Sequence, residues 1–250
     1  MKYYLSTIGA DSTLVARKYG LGLEIAEFCT ASNMDDGFPE WNARVKEEME
    51  GIPFRILHAP FNELFPCAVD PKARALAAER YRQAIALAKN YGAKKVVIHG
   101  GFQPYLYYPV WYVEQSILFW KDFLKEEPGV EIVLENVLEP EPEMLRDIAA
   151  GVDHPGFQLC LDVGHVNAYS KKSPMVWLEA LAPWLNHFHI HNNDGSWDTH
   201  SPLMTGTIPM KKLLEEADRR CPEATFTLEL QETEGSVRWL RENHFLKEEF

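Results

Sequence analysis

The chain has 250 residues, of which 46% are hydrophobic, and 25 Lys and Arg against 37 Asp and Glu give a formal net charge of −12. This composition excludes an intrinsically disordered chain, which would bury too little apolar surface to fold. It also argues against a protein that mainly binds duplex nucleic acid, because that binding depends on Lys and Arg that neutralise phosphates. A small anionic substrate remains compatible with this charge.

Cysteine usage and hydropathy predict a cytoplasmic protein. Cys29, Cys67, Cys160 and Cys221 show no Cys-x-x-Cys spacing, and the first residues lack the basic-then-apolar pattern of a signal peptide. No apolar run approaches the length of about 18 residues that a membrane-spanning helix needs. We therefore expect a reducing compartment and no membrane partner.

Eight short apolar runs recur along the chain and predict eight strands. In chain order they are KYYLST, LGLEIAEF, PFRILHAP, AKKVVIHG, VEIVLENV, FQLCLDVG, LNHFHIHNN and ATFTLELQ. A longer segment with helical spacing follows each run, and several of these begin with Pro, which suits a first helical turn. The predicted helices cover residues 12–19, 39–50, 71–91, 110–126, 142–150, 174–182, 209–220 and 235–243.

Strands that alternate with helices predict a parallel sheet covered by helices, and eight units in about 250 residues predict an α/β fold of the single (β/α)8 TIM barrel type. A doubly wound open sheet is the alternative. Against it, no Gly-x-Gly-x-x-Gly follows the first run, and polar residues stand at the ends of nearly all the runs. The absence of a linker or charge block predicts one catalytic domain over residues 1–250.

Ionisable side chains stand at or near the ends of seven of the eight runs. They are Glu24, His58, His99, Glu135, Asp162, His191 and Glu229. In a barrel the carboxyl ends of the strands meet around one mouth, where active sites of this fold are built. All but Glu24 combine carboxylate and imidazole in a way that suits zinc or manganese.

The segments after the sixth and seventh strands add His165, Asp198 and His200. We expect His165 in a loop directly after Asp162. Asp198 and His200 form an Asp-x-His pair, and in an extended segment residues i and i+2 face the same way, so both reach one ion.

These side chains predict a metal centre. One cage consists of Glu135, Asp162, His191 and Glu229, and an outer set holds further ions: His58, His99, His165, Asp198 and His200. Glu135 is placed to bridge two ions, so we expect one to three divalent cations per chain. A single His or Asp at a strand end is usually a hydrogen-bonded structural residue. So many ionisable groups at one buried mouth, however, cost several kcal/mol unless they are paired or coordinated.

Other polar residues near the runs have less specific interpretations. His187 and His189 share the parity of His191, and we expect both deeper in the barrel as hydrogen-bonded core histidines, with His189 at most orienting a ligand. Glu24 is either a third carboxylate over the substrate or a partner for a loop cation. Lys94 and Lys95 precede the fourth strand at the opposite end, which indicates a structural role.

Several motifs together resemble the xylose isomerase-like TIM barrel superfamily over essentially the whole chain. They are HAPF, VVIHGG, VLENV, CLDVGHVN, HIHNNDGSWDTHSPLMTGTI and TLELQ. That superfamily includes sugar and sugar-phosphate isomerases and epimerases, inosose-type dehydratases and isomerases, and the endonuclease IV branch of abasic-site nucleases.

The isomerase and epimerase branch implies a metal site at Glu135, Asp162, His191 and Glu229. It further implies that Glu135 and Glu229 act as the catalytic acid/base pair and that His165 touches the substrate. The leading hypothesis is therefore a divalent-metal-dependent isomerase or epimerase of a small sugar, sugar phosphate or polyol, acting through a metal-stabilised enediolate.

The endonuclease IV branch implies a different reaction, phosphoester hydrolysis, and a three-metal ligand set that also matches: His58, His99, Glu135, Asp162, His165, His191, Asp198, His200 and Glu229. The acidic composition and the lack of basic loops at the mouth count against a nucleic acid partner. The stretch LMTGT also keeps only Gly206 of the Gly-x-Gly found in many relatives. A binding module with a structural metal is the third hypothesis, disfavoured because a structural site is usually closed by four ligands.

Overall fold

The computed structural model describes residues 1–126 and 128–246. Within these residues, eight parallel strands close into one barrel in the order β1 to β8, with β8 pairing back to β1. The strands are β1 (Lys2–Ser6), β2 (Gly22–Ile25), β3 (Arg55–His58), β4 (Lys95–His99), β5 (Glu131–Glu135), β6 (Phe157–Asp162), β7 (Leu185–Ile190) and β8 (Thr225–Leu228). The predicted (β/α)8 fold is confirmed.

Nine α-helices surround this barrel in the described part of the chain. They are α1 (Ser12–Tyr19), α2 (Phe38–Glu48), α3 (Pro71–Asn90), α4 (Pro109–Phe123), α5 (Glu143–Val152), α6 (Val163–Tyr169), α7 (Pro174–Leu181), α8 (Met210–Arg220) and α9 (Glu234–Glu242). All but α6 lie within a few residues of a predicted helix. Four short 3-10 segments also occur, at Glu27–Cys29, Ala31–Met34, Leu124–Glu126 and Ala182–Trp184.

Helix α6 corrects the sequence-based prediction of a loop after Asp162. The backbone enters the helix directly from β6, and the Asp162 carboxylate caps it by accepting from the backbone N–H of His165, at 2.7 Å. An aspartate at this position satisfies a donor that the first turn otherwise leaves unpaired. The cap therefore fixes both side chains near the mouth.

The barrel interior changes in character along its axis. Its lower part is filled by a buried cluster of Tyr4, Ile56, Val97, Val133 and Cys160. Above it, the ionisable residues at the carboxyl ends of the strands are buried as well, except His99, which is partly exposed. The apolar side chains that join strands to helices form a separate, larger core.

Among the described helices, none combines the length and the apolar character needed to cross a bilayer.

Candidate metal centre

All nine residues predicted as ligands lie at the carboxyl ends of the strands or in the segments that follow them. Six are buried and three are partly exposed, the latter being His99, Asp198 and His200. Short contacts between carboxylate oxygens and imidazole nitrogens bring these nine residues together in three overlapping groups.

Glu135 occupies the centre of the first group. Its Oε2 lies 3.2 Å from Nε2 of His58 and 3.4 Å from Nε2 of His99, and its Oε1 lies 3.4 Å from Nδ1 of His165. The register sets His99 beside Glu135 across β4 and β5. One carboxylate thus contacts histidines from β3, β4 and α6, which is the position of a bridging ligand.

Asp162 and His191 form the second group. Nε2 of His191 lies 3.1 Å from both carboxylate oxygens of Asp162, and Nδ1 lies 3.5 Å from Oδ1 of Asp198. The His191 ring also stacks on His200, with centroids 4.0 Å apart and planes 5° apart. Ligand atoms of His191, His200 and Glu229 all lie within 4.8 Å of one another.

Asp198 joins the third group, in which its Oδ2 lies 3.3 Å from Nε2 of His165 and 3.0 Å from Nε2 of His200. The expected proximity of Asp198 and His200 is present, but the expected extended segment is wrong. His200 has φ of +47°, and an antiparallel bridge between Asn192 and Ser201 closes the loop. A turned loop, not strand-like alternation, brings this pair together.

Three of these histidines have a fixed tautomer. Nδ1–H donates to a backbone carbonyl in each case: His58 to Ala59, His165 to Asn136 and His200 to Glu229, all at 2.9 Å. In the neutral imidazole, Nε2 then carries no hydrogen and faces a carboxylate oxygen at 3.0 to 3.3 Å. Two acceptors at this distance repel each other unless a proton or a metal ion lies between them. The donor set therefore fits divalent cations.

The electrostatics of the cluster point the same way. Burial alone would raise the pKa of Glu135, but the neighbouring histidines, His189 foremost, hold it well below its usual value. Burial lowers the pKa of His200, but the Asp198 carboxylate raises it by more, so the pKa is about 9. Burial raises the pKa of Glu229. The mouth thus concentrates negative charge that protons or cations must balance.

Buried polar atoms without partners support the same interpretation. Within the described residues, Oε1 of Glu135 and Nδ1 of His191 make no hydrogen bond, although both side chains are fully buried. Leaving such an atom unpaired costs about 1–3 kcal/mol. A bound cation would remove this cost.

Sequence reasoning missed the residues that hold the ligands in place. The Asn136 side chain donates to the Asp162 carbonyl and accepts from its N–H, at 3.0 and 2.9 Å. Asn193 donates to the Gly164 carbonyl at 2.9 Å. Asn136 directly follows the predicted ligand Glu135 in VLENV, and Asn193 stands two residues after the predicted ligand His191 in HIHNN, which was the available signal.

Of the two deeper histidines, only His187 matches the expectation in full. His187 is a hydrogen-bonded core histidine, since Nδ1 contacts Thr225 Oγ1 at 2.7 Å and Nε2 contacts Glu24 Oε2 at 3.2 Å. In the described part of the chain, neither ring nitrogen of His189 meets the geometry of a hydrogen bond, although its Nε2 lies 3.0 Å from Oε1 of Glu24. At the opposite end of the barrel, Lys95 donates to Thr225 Oγ1 at 2.9 Å.

Two curated relatives come from Methanocaldococcus jannaschii, and both are described as uncharacterized proteins. One is 27% identical over 194 residues, which cover 73% of this chain and 66% of the relative. The other is 25% identical over 162 residues and covers 61% of each chain. The chain thus spans about two thirds of the length of these relatives.

Solved structures share the fold at low sequence identity. A D-tagatose 3-epimerase-like protein superposes with a TM-score of 0.79 at 22% identity, covering 98% of this chain and 97% of its own. A Thermus thermophilus protein soaked with zinc chloride gives 0.79 at 24% identity, with full coverage of both chains. A D-psicose 3-epimerase from Clostridium cellulolyticum, with D-tagatose, gives 0.70 at 18% identity, covering 92% and 85%.

The family model described as xylose isomerase-like TIM barrel matches residues 16–248. The match includes every strand from β2 to β8 and all nine predicted ligands. Together with the closed barrel, this places the chain in the xylose isomerase-like TIM barrel family.

Proposed function

We propose that residues 1–250 form a single catalytic domain: a divalent-metal-dependent isomerase or epimerase of a small sugar, sugar phosphate or polyol. One observation carries this proposal. Carboxylates from β5, β6 and the end of β8 converge on one buried point, since Glu135, Glu229 and Asp162 all lie within 3.8 Å of His189 Nδ1. Moving a proton between two faces of a carbon needs a base and an acid on opposite sides of one bound substrate.

The residues that would hold the cation are Glu135, Asp162, His191 and Glu229, whose unpaired and bare acceptor atoms fit such an ion. When bound, a divalent cation polarises a substrate carbonyl or hydroxyl as a Lewis acid. Supporting this assignment, proteins of the same fold include the D-psicose 3-epimerase above, a D-allulose 3-epimerase and an IolI protein with bound zinc.

The protein's own groups supply the proton transfers. Glu135 and Glu229 enter the mouth from strands three positions apart around the barrel, so a substrate between them presents a different face to each. One carboxylate removes a proton from carbon while the other returns one. His165 is oriented by its bond to the Asn136 carbonyl, with Nε2 near the loop carboxylate Asp198, where it would contact a substrate hydroxyl.

Solvent-deuterium exchange tests this function. Aldoses, ketoses and their phosphates are incubated with protein in D2O, with zinc or manganese or with a chelator, and deuterium incorporation at carbon is followed by NMR. We expect metal-dependent incorporation that Glu135→Gln abolishes. The matched control Glu47→Gln changes a glutamate on the exposed face of α2 and should leave exchange intact. No metal-dependent exchange on any of these sugars would contradict the proposal.

A specific observation favours a second function, phosphoester hydrolysis. Beside the inner set, ligand atoms of His58, His99 and Glu135, and separately those of His165, Asp198 and His200, all lie within 4.8 Å of one another. Such groups would hold two further cations. The positive charge of three divalent ions would exceed the negative charge of the four carboxylates in the set. The resulting cationic pocket would attract a phosphate group.

Metal content and substrate cleavage separate the two functions. Elemental analysis of the purified protein gives the number of ions per chain, and cleavage is measured on small phosphomonoesters and on a duplex with one abasic site. Three ions with cleavage that His58→Ala or His99→Ala abolishes would establish the hydrolase. One ion retained in both variants, with proton exchange, would establish the isomerase.

A further inference from the structure

His189 is the residue whose position least fits a structural role. It lies on β7 and is fully buried, and its Nδ1 sits 3.3 Å from Glu135 Oε1, 3.5 Å from Glu229 Oε1 and 3.8 Å from Asp162 Oδ2. The three oxygens belong to three of the four side chains assigned to the inner cation. Nδ1 therefore points at the same place as those ligands.

These separations match the spacing of atoms that share one ion. Zinc holds nitrogen and oxygen ligands at about 2.1 Å, and with five ligands the neighbouring ligand atoms lie about 3.0–3.6 Å apart, a spread centred near 3.3 Å. The distances of 3.3, 3.5 and 3.8 Å lie around that value. A hydrogen-bonded group would instead approach one of these oxygens more closely.

The second ring nitrogen faces a carboxylate that is itself held in place. Nε2 of His189 lies 3.0 Å from Glu24 Oε1. The other Glu24 oxygen accepts from the Thr227 hydroxyl at 2.5 Å and lies 3.2 Å from Nε2 of His187. Metal-binding histidines commonly direct their other N–H to such a carboxylate, which fixes the ring and its tautomer.

Comparison with His187, two residues earlier on the same strand, separates the two roles. Both rings are fully buried, but His187 makes hydrogen bonds through both nitrogens. Across residues 1–126 and 128–246, Nδ1 of His189 makes no hydrogen bond, and its Nε2 approaches Oε1 of Glu24 at 3.0 Å without the alignment of a hydrogen bond. A buried imidazole left this way is costly unless a ligand completes it.

We propose that His189 is a ligand of the inner cation through Nδ1 and that Glu24 is a positioning residue that holds His189 through Nε2–H. This inference rests on the metal centre of the proposed function. It adds a fifth protein donor to Glu135, Asp162, His191 and Glu229. It also gives Glu24, at the base of the mouth, a role toward the metal instead of toward the substrate.

Zinc affinity and zinc coordination test the proposal. Affinity for the tightest ion is measured by competition with a chromophoric chelator, and folding of each variant is checked by circular dichroism. We expect His189→Gln to weaken binding by about 10- to 100-fold and Glu24→Gln by about 10-fold. The control His187→Gln removes an equally buried imidazole from the same strand. It should change affinity by less than about 3-fold, because Thr227 still holds Glu24.

X-ray absorption at the zinc edge gives a measurement that needs no variant. With one equivalent of zinc, the wild-type protein should show two imidazole ligands, from His189 and His191, and His189→Gln should show one. A single imidazole in the wild-type protein, or equal affinities in wild type and His189→Gln, would overturn the inference.

The outcomes also separate this inference from the proposed function. Zinc with two imidazoles but no proton exchange on any sugar would retain the ligand assignment and reject the isomerase. Proton exchange with a one-imidazole site would retain the isomerase and reject the ligand assignment. A protein that binds no divalent cation would overturn both.

Discussion

Gly164 lies against the ring of His191 so closely that a Cβ built on it would be 1.9 Å from Cε1 of that ring. Gly164 is the second residue of α6, between the capping residue Asp162 and the predicted ligand His165. The close approach lets the imidazole pack on the start of the helix that carries these two side chains. Glycine is required here by space, not by backbone conformation.

Gly164→Ala should displace His191 and weaken metal binding by about 10-fold or more, in the range seen when the support of a metal ligand is lost. A chelator competition assay measures the loss. Gly235→Ala is the control, because a Cβ there meets no atom within 4 Å. In a helix that change should be neutral or slightly stabilising. Equal affinity in the Gly164 variant and the wild type would contradict the packing argument.

Removing metal should lower the thermal stability. An ion that binds only the folded state stabilises it by about 2.7 kcal/mol at 100 times its dissociation constant, which corresponds to a rise in Tm of about 5–10 °C for a chain of this size. Calorimetry with added zinc and with a chelator measures the difference. In Glu135→Gln, zinc should no longer raise the Tm. A wild-type Tm that is the same with zinc and with the chelator would refute this prediction.

Glu139 should make stability depend on pH. It is buried, accepts from Tyr112 Oη at 2.6 Å and from the Val137 N–H at 2.7 Å, and burial raises its pKa. The folded state therefore binds its proton more tightly than the unfolded state. The stabilisation is complete below the unfolded pKa of about 4.3 and declines as pH rises through the raised folded value.

Glu139→Gln should consequently gain stability relative to the wild type as pH rises from 5 to 8. Chemical unfolding in the presence of a chelator measures this difference without metal binding. Glu47→Gln, on the exposed face of α2, should track the wild type at every pH. A constant offset between Glu139→Gln and the wild type would disprove the expected titration.

Lys95 should be essential for stability at the lower end of the barrel. Its ammonium donates to the Asn186 carbonyl at 2.7 Å and to Thr225 Oγ1 at 2.9 Å, and it lies 3.8 Å from Glu131 Oε2. Lys95→Met should lower the free energy of unfolding by about 1–3 kcal/mol, because it removes the donor to Thr225 Oγ1 and the cation beside the partly exposed Glu131. Urea unfolding measures the change, and Lys95→Met together with Glu131→Gln should recover part of it. A loss below about 1 kcal/mol would show that the ion pair contributes little.

The sequence alone determined the barrel and the set of ionisable residues at its mouth. Apolar runs of strand length alternate with helical segments, and in a closed parallel sheet the strand ends can only meet at one face. Residues such as His99 and Glu135 follow from this rule because each ends its strand. Local patterns were sufficient because chain order alone sets which ends converge.

Only the tertiary structure shows that His189 lies between Glu135 and Glu24. The β6–β7 register shifts between Leu159 and Cys160, and this irregularity pairs Asp162 with His189. Counting back from His191 cannot predict this pairing, because spacing along one strand does not reveal a register shift against its neighbour. The turn at His200 and the short helix after Asp162 also depend on contacts between distant segments. Spacing along the strands thus predicted which residues gather at the mouth, whereas pairing between strands decided which atoms face one another.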